Sequence, residues 1–141
     1  MLFRSDGWDG YPAARQRLLS YLSEKRIANP VVLGGDVHSF NVADLKLDFD
    51  DPKSPVVASE FVGTSITSQA WAQERLNRLL PDNPHMKLMD SRYRGYTRVE
   101  ITPGKMRAEL RAMESVLQRE AACNTLATYV AEDGKPGPQR A

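Results

Sequence analysis

A chain of 141 residues, 41% hydrophobic and 26% charged, has the size and composition of one globular domain or part of one. Its formal net charge is +1 with the two signs interspersed, which gives no ground for a nucleic-acid-binding surface or an anionic membrane as partner. No apolar run approaches the ~18 residues of a helical membrane span. The single cysteine, Cys123, excludes an internal disulfide and a thiolate metal cluster, and reads as a small half-buried thiol.

The first dozen residues, MLFRSDGWDGYP, lack the basic start and apolar core of an export signal. Trp8 and Tyr11 crowd them among turn residues, a mid-domain composition, so the natural protein is expected to begin upstream. Both aromatics are expected to pack on the helix that follows, ahead of the alternative that they wall a substrate site. Residues 12–27 predict that helix: Pro12 suits its first position, Ala14, Leu18, Tyr21 and Leu22 recur at helical spacing, and Asn29-Pro30 stops it. Val31 to Gly34 then read as a short strand buried on both faces, because the apolar run does not alternate. DFDDPKSP, residues 48–55, is a turn, and VVASEFVG, residues 56–63, a second strand.

Residues 69–80 predict an amphipathic helix with Ser68 as N-cap and Ala70, Leu76, Leu79 and Leu80 toward a core. From residue 96 the pattern changes to strands. YTRVEIT and MRAELRAM flank a TPGK turn as a hairpin, and TLATYVAEDGKPG adds one strand closed by Asp-Gly. Helix, strand, strand, helix and then strands make an α/β layered domain with a sheet-rich end.

Both early strands end in glycine, and in open α/β sheets ligand sites gather beyond the carboxyl ends of strands. In NPVVLGGDVHSF, residues 29–40, Asp36 and His38 emerge at such an end, one residue apart. A carboxylate and an imidazole suit a divalent or trivalent cation. The same residues also fit an Asx-turn and a satisfied buried histidine. GTSITS, residues 63–68, offers backbone N–H groups to a phosphate or hydroxyls to cap a helix.

Taken together, WDGYPAARQRLL, NPVVLGGDVHSF, ADLK, SPVVASEFVGTSITS, NPHMKL and RGYTRVEITP resemble the carboxy-terminal part of PhoD-like alkaline phosphatases, in the metallophosphatase superfamily. The resemblance runs from Asp6 to Gly137, so residues 1–141 are expected to form the carboxy-terminal portion of such a domain, incomplete by itself. It implies a four-layer αββα sandwich, of which this chain gives a sheet with two helices and a terminal hairpin. It also implies hydrolysis of phosphate esters outside the cytoplasm, in the periplasm or medium, at a centre of iron and calcium. Such ions offset the charge on the phosphoryl oxygens and activate a water for in-line attack. By position in the family's Gly-Asp-x-His motif, His38 corresponds to a ligand of the iron and Asp36 to a ligand of the calcium. That division fits a preference of calcium for oxygen and of iron for nitrogen.

No catalytic serine is expected. His85 also matches the family pattern, but the residue types of NPH fit a turn entering a strand, and it is read as a supporting or structural residue. Asn41 departs from the family, which often has tryptophan there, so that wall of the site is expected to differ. The remaining ligands, including a family cysteine, would lie upstream. Cys123 is at the wrong end to be that cysteine. Three readings follow: the last section of a longer phosphatase, with the amino-terminal half of the domain missing; a stand-alone remnant that binds phosphate or a partner without catalysis; or a structural α/β domain with no ion. In the first, the face that meets the missing sheet is expected to be open and apolar.

Overall fold

The computed structural model describes residues 7–141; the first six residues assessed for an export signal, Asp6 among them, lie outside the described residues. A 3-10 turn, Trp8–Gly10, leads into α1 (Pro12–Glu24), which begins on proline as expected. The helix ends before the apolar spacing does. Arg26 and Asn29 take φ of 49° and 51°, which turns the chain off the helix and into β1 (Val31–Gly34). α1 packs on β3 and buries Leu19, with Leu22 half-buried. Leu18 and Tyr21, expected inward, are exposed, and so are Trp8 and Tyr11. The expected apolar face is therefore rotated, because only the side meeting β3 is covered.

The first sheet holds β1, β2 (Phe40–Lys46), β3 (Val56–Val62) and β4 (Met86–Asp90) in the order β1-β3-β2-β4. β1 runs parallel to β3, and the other neighbours are antiparallel. β2 occupies a segment to which the sequence pattern assigns no strand, while β4 is the strand expected after the Asn83-Pro84-His85 turn. β1 is not buried on both faces: it is the sheet's edge, and Leu33 is 59% exposed. α2 (Gln73–Leu79) lies beside β4 and buries Leu76 alone, with the turn Leu80–Asp82 after it. Its N-cap is Ala72 rather than Ser68, and no side chain caps it.

The second sheet is β5 (Arg94–Thr102), β6 (Lys105–Met113), β7 (Cys123–Glu132) and β8 (Gln139–Arg140), antiparallel and in sequence order. The expected hairpin is β5–β6, and Gly134 turns the chain after β7 with φ 72°. Cys123 is half-buried at the start of β7. The two sheets face each other across one core. Phe40 and Val42 alternate inward from β2, Phe61 joins them from β3, and Met106, Ala108 and Leu110 alternate inward from β6. The alanines of β6 and β7 leave room for the phenylalanine rings, each of which contributes about 1.5–3 kcal/mol through burial.

The chain is thus α/β, part of an αββα sandwich, with two facing sheets and α1 outside the first. The inner face of the first sheet, expected open, is covered by this chain's own second sheet. Large exposed apolar side chains are spread over the described residues instead, Leu18 and Tyr21 on α1, Leu33 on β1, and Ile66, Ile101 and Leu117 beyond them.

Candidate functional site

Because β3 sits between β1 and β2, residues 35–39 must cross over its carboxyl end. A short crossing over a strand end needs sharp turns, and two non-glycine residues supply them: Asp36 at φ 70° and His38 at φ 58°. Asp and His are among the types that tolerate positive φ, yet such conformations cost about 1–3 kcal/mol each and persist only where surroundings impose them. The ligand-type residues of the motif are therefore the strained residues of the loop.

The surroundings are specific. Gly63, which leaves β3 under the loop, donates its N–H to the carbonyl of Gly34 at 3.0 Å. The Thr64 hydroxyl lies 3.2 Å from the carbonyl oxygen of His38 and 3.0 Å from that of Tyr93. Nδ1 of His38 is 2.8 Å from the carbonyl oxygen of Gln69. A carbonyl only accepts, so Nδ1 is the donor, and in the neutral ring that leaves the lone pair on Nε2. This is the state in which an imidazole coordinates a cation. The ring is half-buried, so hydrocarbon does not seal it. Asp36 is exposed.

Beside the loop a groove of about 540 Å³ runs between α1 and the outer face of the first sheet. Asp36, Asn41, Glu60 and His85 line it, and His38 is not among its lining residues. Burial holds the Glu60 carboxyl above its usual pKa of 4.5. Burial also holds His85 below 6.5, against the opposing pull of Asp44, and its ring meets Phe49 edge-on at 4.8 Å. The backbone carbonyl of His85 accepts from Asp44, three ladder positions from Asn41. That places it about 10 Å along β2 from Asn41. His85 is a packed ring at the groove's far end, in keeping with the structural role expected of it.

GTSITS caps no helix. Its Thr64 instead holds the His38 loop, and its Ser65 hydroxyl bonds the carbonyl of Ser68 at 2.6 Å. Sequence reasoning missed Thr64, Gln69 and Glu60. The signal for Thr64 was its place just past β3, in line with the loop after β1. The carbonyl of Gln69 leaves no trace in residue type.

A family profile described as PhoD-like phosphatase matches residues 1–110. The chain belongs to the PhoD-like phosphatase family. It is 37% identical over 139 residues to alkaline phosphatase D of Bacillus subtilis (strain 168), across 96% of this chain and 24% of that protein. It is similar to a solved structure of PhoD with a TM-score of 0.85 and 37% identity, over 96% of this chain and 26% of that one. The chain thus spans about a quarter of the length of these PhoD-like relatives.

Among the described residues, no three or more His, Cys, Asp or Glu side chains are gathered as a complete cation site requires. One carboxylate and one imidazole, donor types that such a site takes, stand on the same loop, Asp36 lining the groove and His38 beside it. No helix among the described residues is long and apolar enough to cross a membrane.

Proposed function

We propose that this chain is the last section of a metal-dependent phosphate-ester hydrolase, with Asp36 and His38 contributing one corner of its cation centre. The observation that carries this is the His38 imidazole, bonded through Nδ1 to the Gln69 carbonyl on a strained loop at a strand's carboxyl end. His38 offers nitrogen and Asp36 offers oxygen, chemistry suited to iron and to calcium respectively. Bound ions of this kind supply charge neutralisation on a phosphoryl group and activation of water. The chain's own part is to hold the His38 ring in a fixed direction on a loop that also carries Asp36, because the loop is tied to β3 and, through Thr64, to the segment before β5.

Calcium takes about 6–8 oxygen ligands, so this corner needs partners from elsewhere in the protein. The 141-residue chain alone is expected to bind such ions weakly and to hydrolyse no ester. That supports an amino-terminal part of the domain, with the remaining ligands, in the full-length protein. Export to the periplasm or medium is proposed from the family resemblance, and cell fractionation tests it. The decisive experiment compares full-length parent, Asp36→Ala and His38→Ala for calcium and iron content and for hydrolysis of a phosphomonoester and a phosphodiester. Loss of calcium dependence in Asp36→Ala and of iron in His38→Ala is expected. An unchanged calcium titration removes Asp36 from the ligand set.

A further inference from the structure

The loop at residues 35–39 makes one backbone hydrogen bond of its own, from the N–H of Val37 to the carbonyl of Gly35 at 2.9 Å. That bond closes a tight turn but does not fix where His38 stands relative to the sheet. The fixing comes from the strand beneath. Thr64 is the second residue past β3, half-buried, and its hydroxyl has one hydrogen facing two carbonyl oxygens, those of His38 and Tyr93. The neighbouring Ser65 carbonyl accepts the N–H of Gly95 at 3.1 Å, which ties the same segment to β5. One side chain therefore joins three loop segments: the one carrying His38, the one leaving β3, and the one entering β5.

We infer that Thr64 is a positioning residue for His38. Its hydroxyl hydrogen, shared between the carbonyl oxygens of Tyr93 at 3.0 Å and His38 at 3.2 Å, ties the His38 backbone to the segment entering β5, while the Gln69 carbonyl accepts from Nδ1. The strained φ of 58° then has a physical sponsor, since a left-handed histidine persists only where contacts over-determine it. Valine at this position keeps the shape and removes the hydroxyl, whereas serine keeps the hydroxyl and removes a methyl group. With the clamp gone, His38 relaxes toward negative φ, the bond to Gln69 loosens, and Nε2 loses its fixed direction.

The inference rests on His38 being a cation ligand, so its test separates the two. In the 141-residue chain, ¹⁵N spectra of the imidazole report the tautomer without any metal. The parent and Thr64→Ser are expected to show His38 protonated at Nδ1, and Thr64→Val a mixture of tautomers. In the full-length protein, calcium and iron affinity are measured by titration with each metal salt. Thr64→Val is expected to weaken binding about 10–100-fold, the usual effect of losing a group that orients a ligand, with Thr64→Ser close to the parent. Parent-like tautomer and affinity in Thr64→Val, or equal impairment in both variants, overturns the role of Thr64. If His38→Ala leaves the affinities unchanged, the ligand assignment fails and takes the positioning role with it. If His38→Ala abolishes binding and Thr64→Val does not alter it, only the positioning role fails.

Discussion

In the second sheet, β5 to β8 follow one another in space as they do in sequence, all antiparallel, while the first sheet places β3 between β1 and β2 and includes one parallel pair. The consequence is local. Adjacent antiparallel strands are joined by tight turns such as Pro103-Gly104, which ask little of the backbone. A connection that must pass over a strand end produces residues 35–39, with two strained positions and support from Thr64 and Gln69. The regular sheet supplies fully buried alanine, leucine and methionine to the core, and the interrupted sheet supplies the exposed loop where the donors stand. Among the described residues, positive φ at non-glycine positions falls in the two segments flanking β1, at Arg26 and Asn29 before it and at Asp36 and His38 after it, and none falls in the second sheet.

The comparison is broken most forcefully in the core. Leu110→Ala, at a position with no exposure, is expected to cost about 2–5 kcal/mol, read by chemical denaturation. Gly95→Ala comes next. Gly95 has φ 155°, and a Cβ there would run into the Arg111 carbonyl of the paired strand, so a loss of about 1–3 kcal/mol is expected.

The loop should answer differently. Asp36→Gly is expected to be less damaging than Asp36→Val, because glycine accepts φ 70° freely whereas valine at that φ costs about 1–2 kcal/mol. If glycine is as damaging as valine, the loop is not strained in the way described.

The mildest effect is on pH dependence. His85 is held below 6.5 by burial, so the unfolded chain takes up a proton that the folded site resists. Its contribution is present above pH 6.5 and lost as pH falls through the folded value. Glu60, held above 4.5 by burial, acts in the opposite sense: its contribution is complete below pH 4.5 and lost as pH rises through the folded value. His85→Gln should flatten the acid side of the stability profile. Glu60→Gln should raise stability at neutral pH, and a parent-like profile in either variant would remove that group from the account.

Much of the fold was legible in the residues. Pro12 marked the start of α1, the VVASEFV run gave β3, and the period-two pattern around Thr102-Pro103-Gly104-Lys105 gave the β5–β6 hairpin. β2 escaped because its alternation, Phe40 and Val42 against Asn41, begins directly from the loop with no turn residue to announce it. β4 was legible only as a strand entered from the Asn83-Pro84-His85 turn, since its five residues are too few to show a period. The exposed face of α1 was misjudged because spacing defines a stripe but not which neighbour covers it, and β3 covers the side of Leu19.

By itself the sequence determined the local chemistry: which segments extend or coil, where glycines and prolines turn the chain, and that Asp36 and His38 stand together past a strand end. Those are short-range consequences of dihedral preference and hydrophobic period, and a single chain displays them in order. Only the tertiary structure decided that β3 lies between β1 and β2, that the first sheet's inner face is closed by the second sheet, and that Thr64 and a main-chain carbonyl hold His38. These depend on segments distant in sequence meeting in space, and a carbonyl acceptor is the same in every residue, so no pattern of letters reveals it.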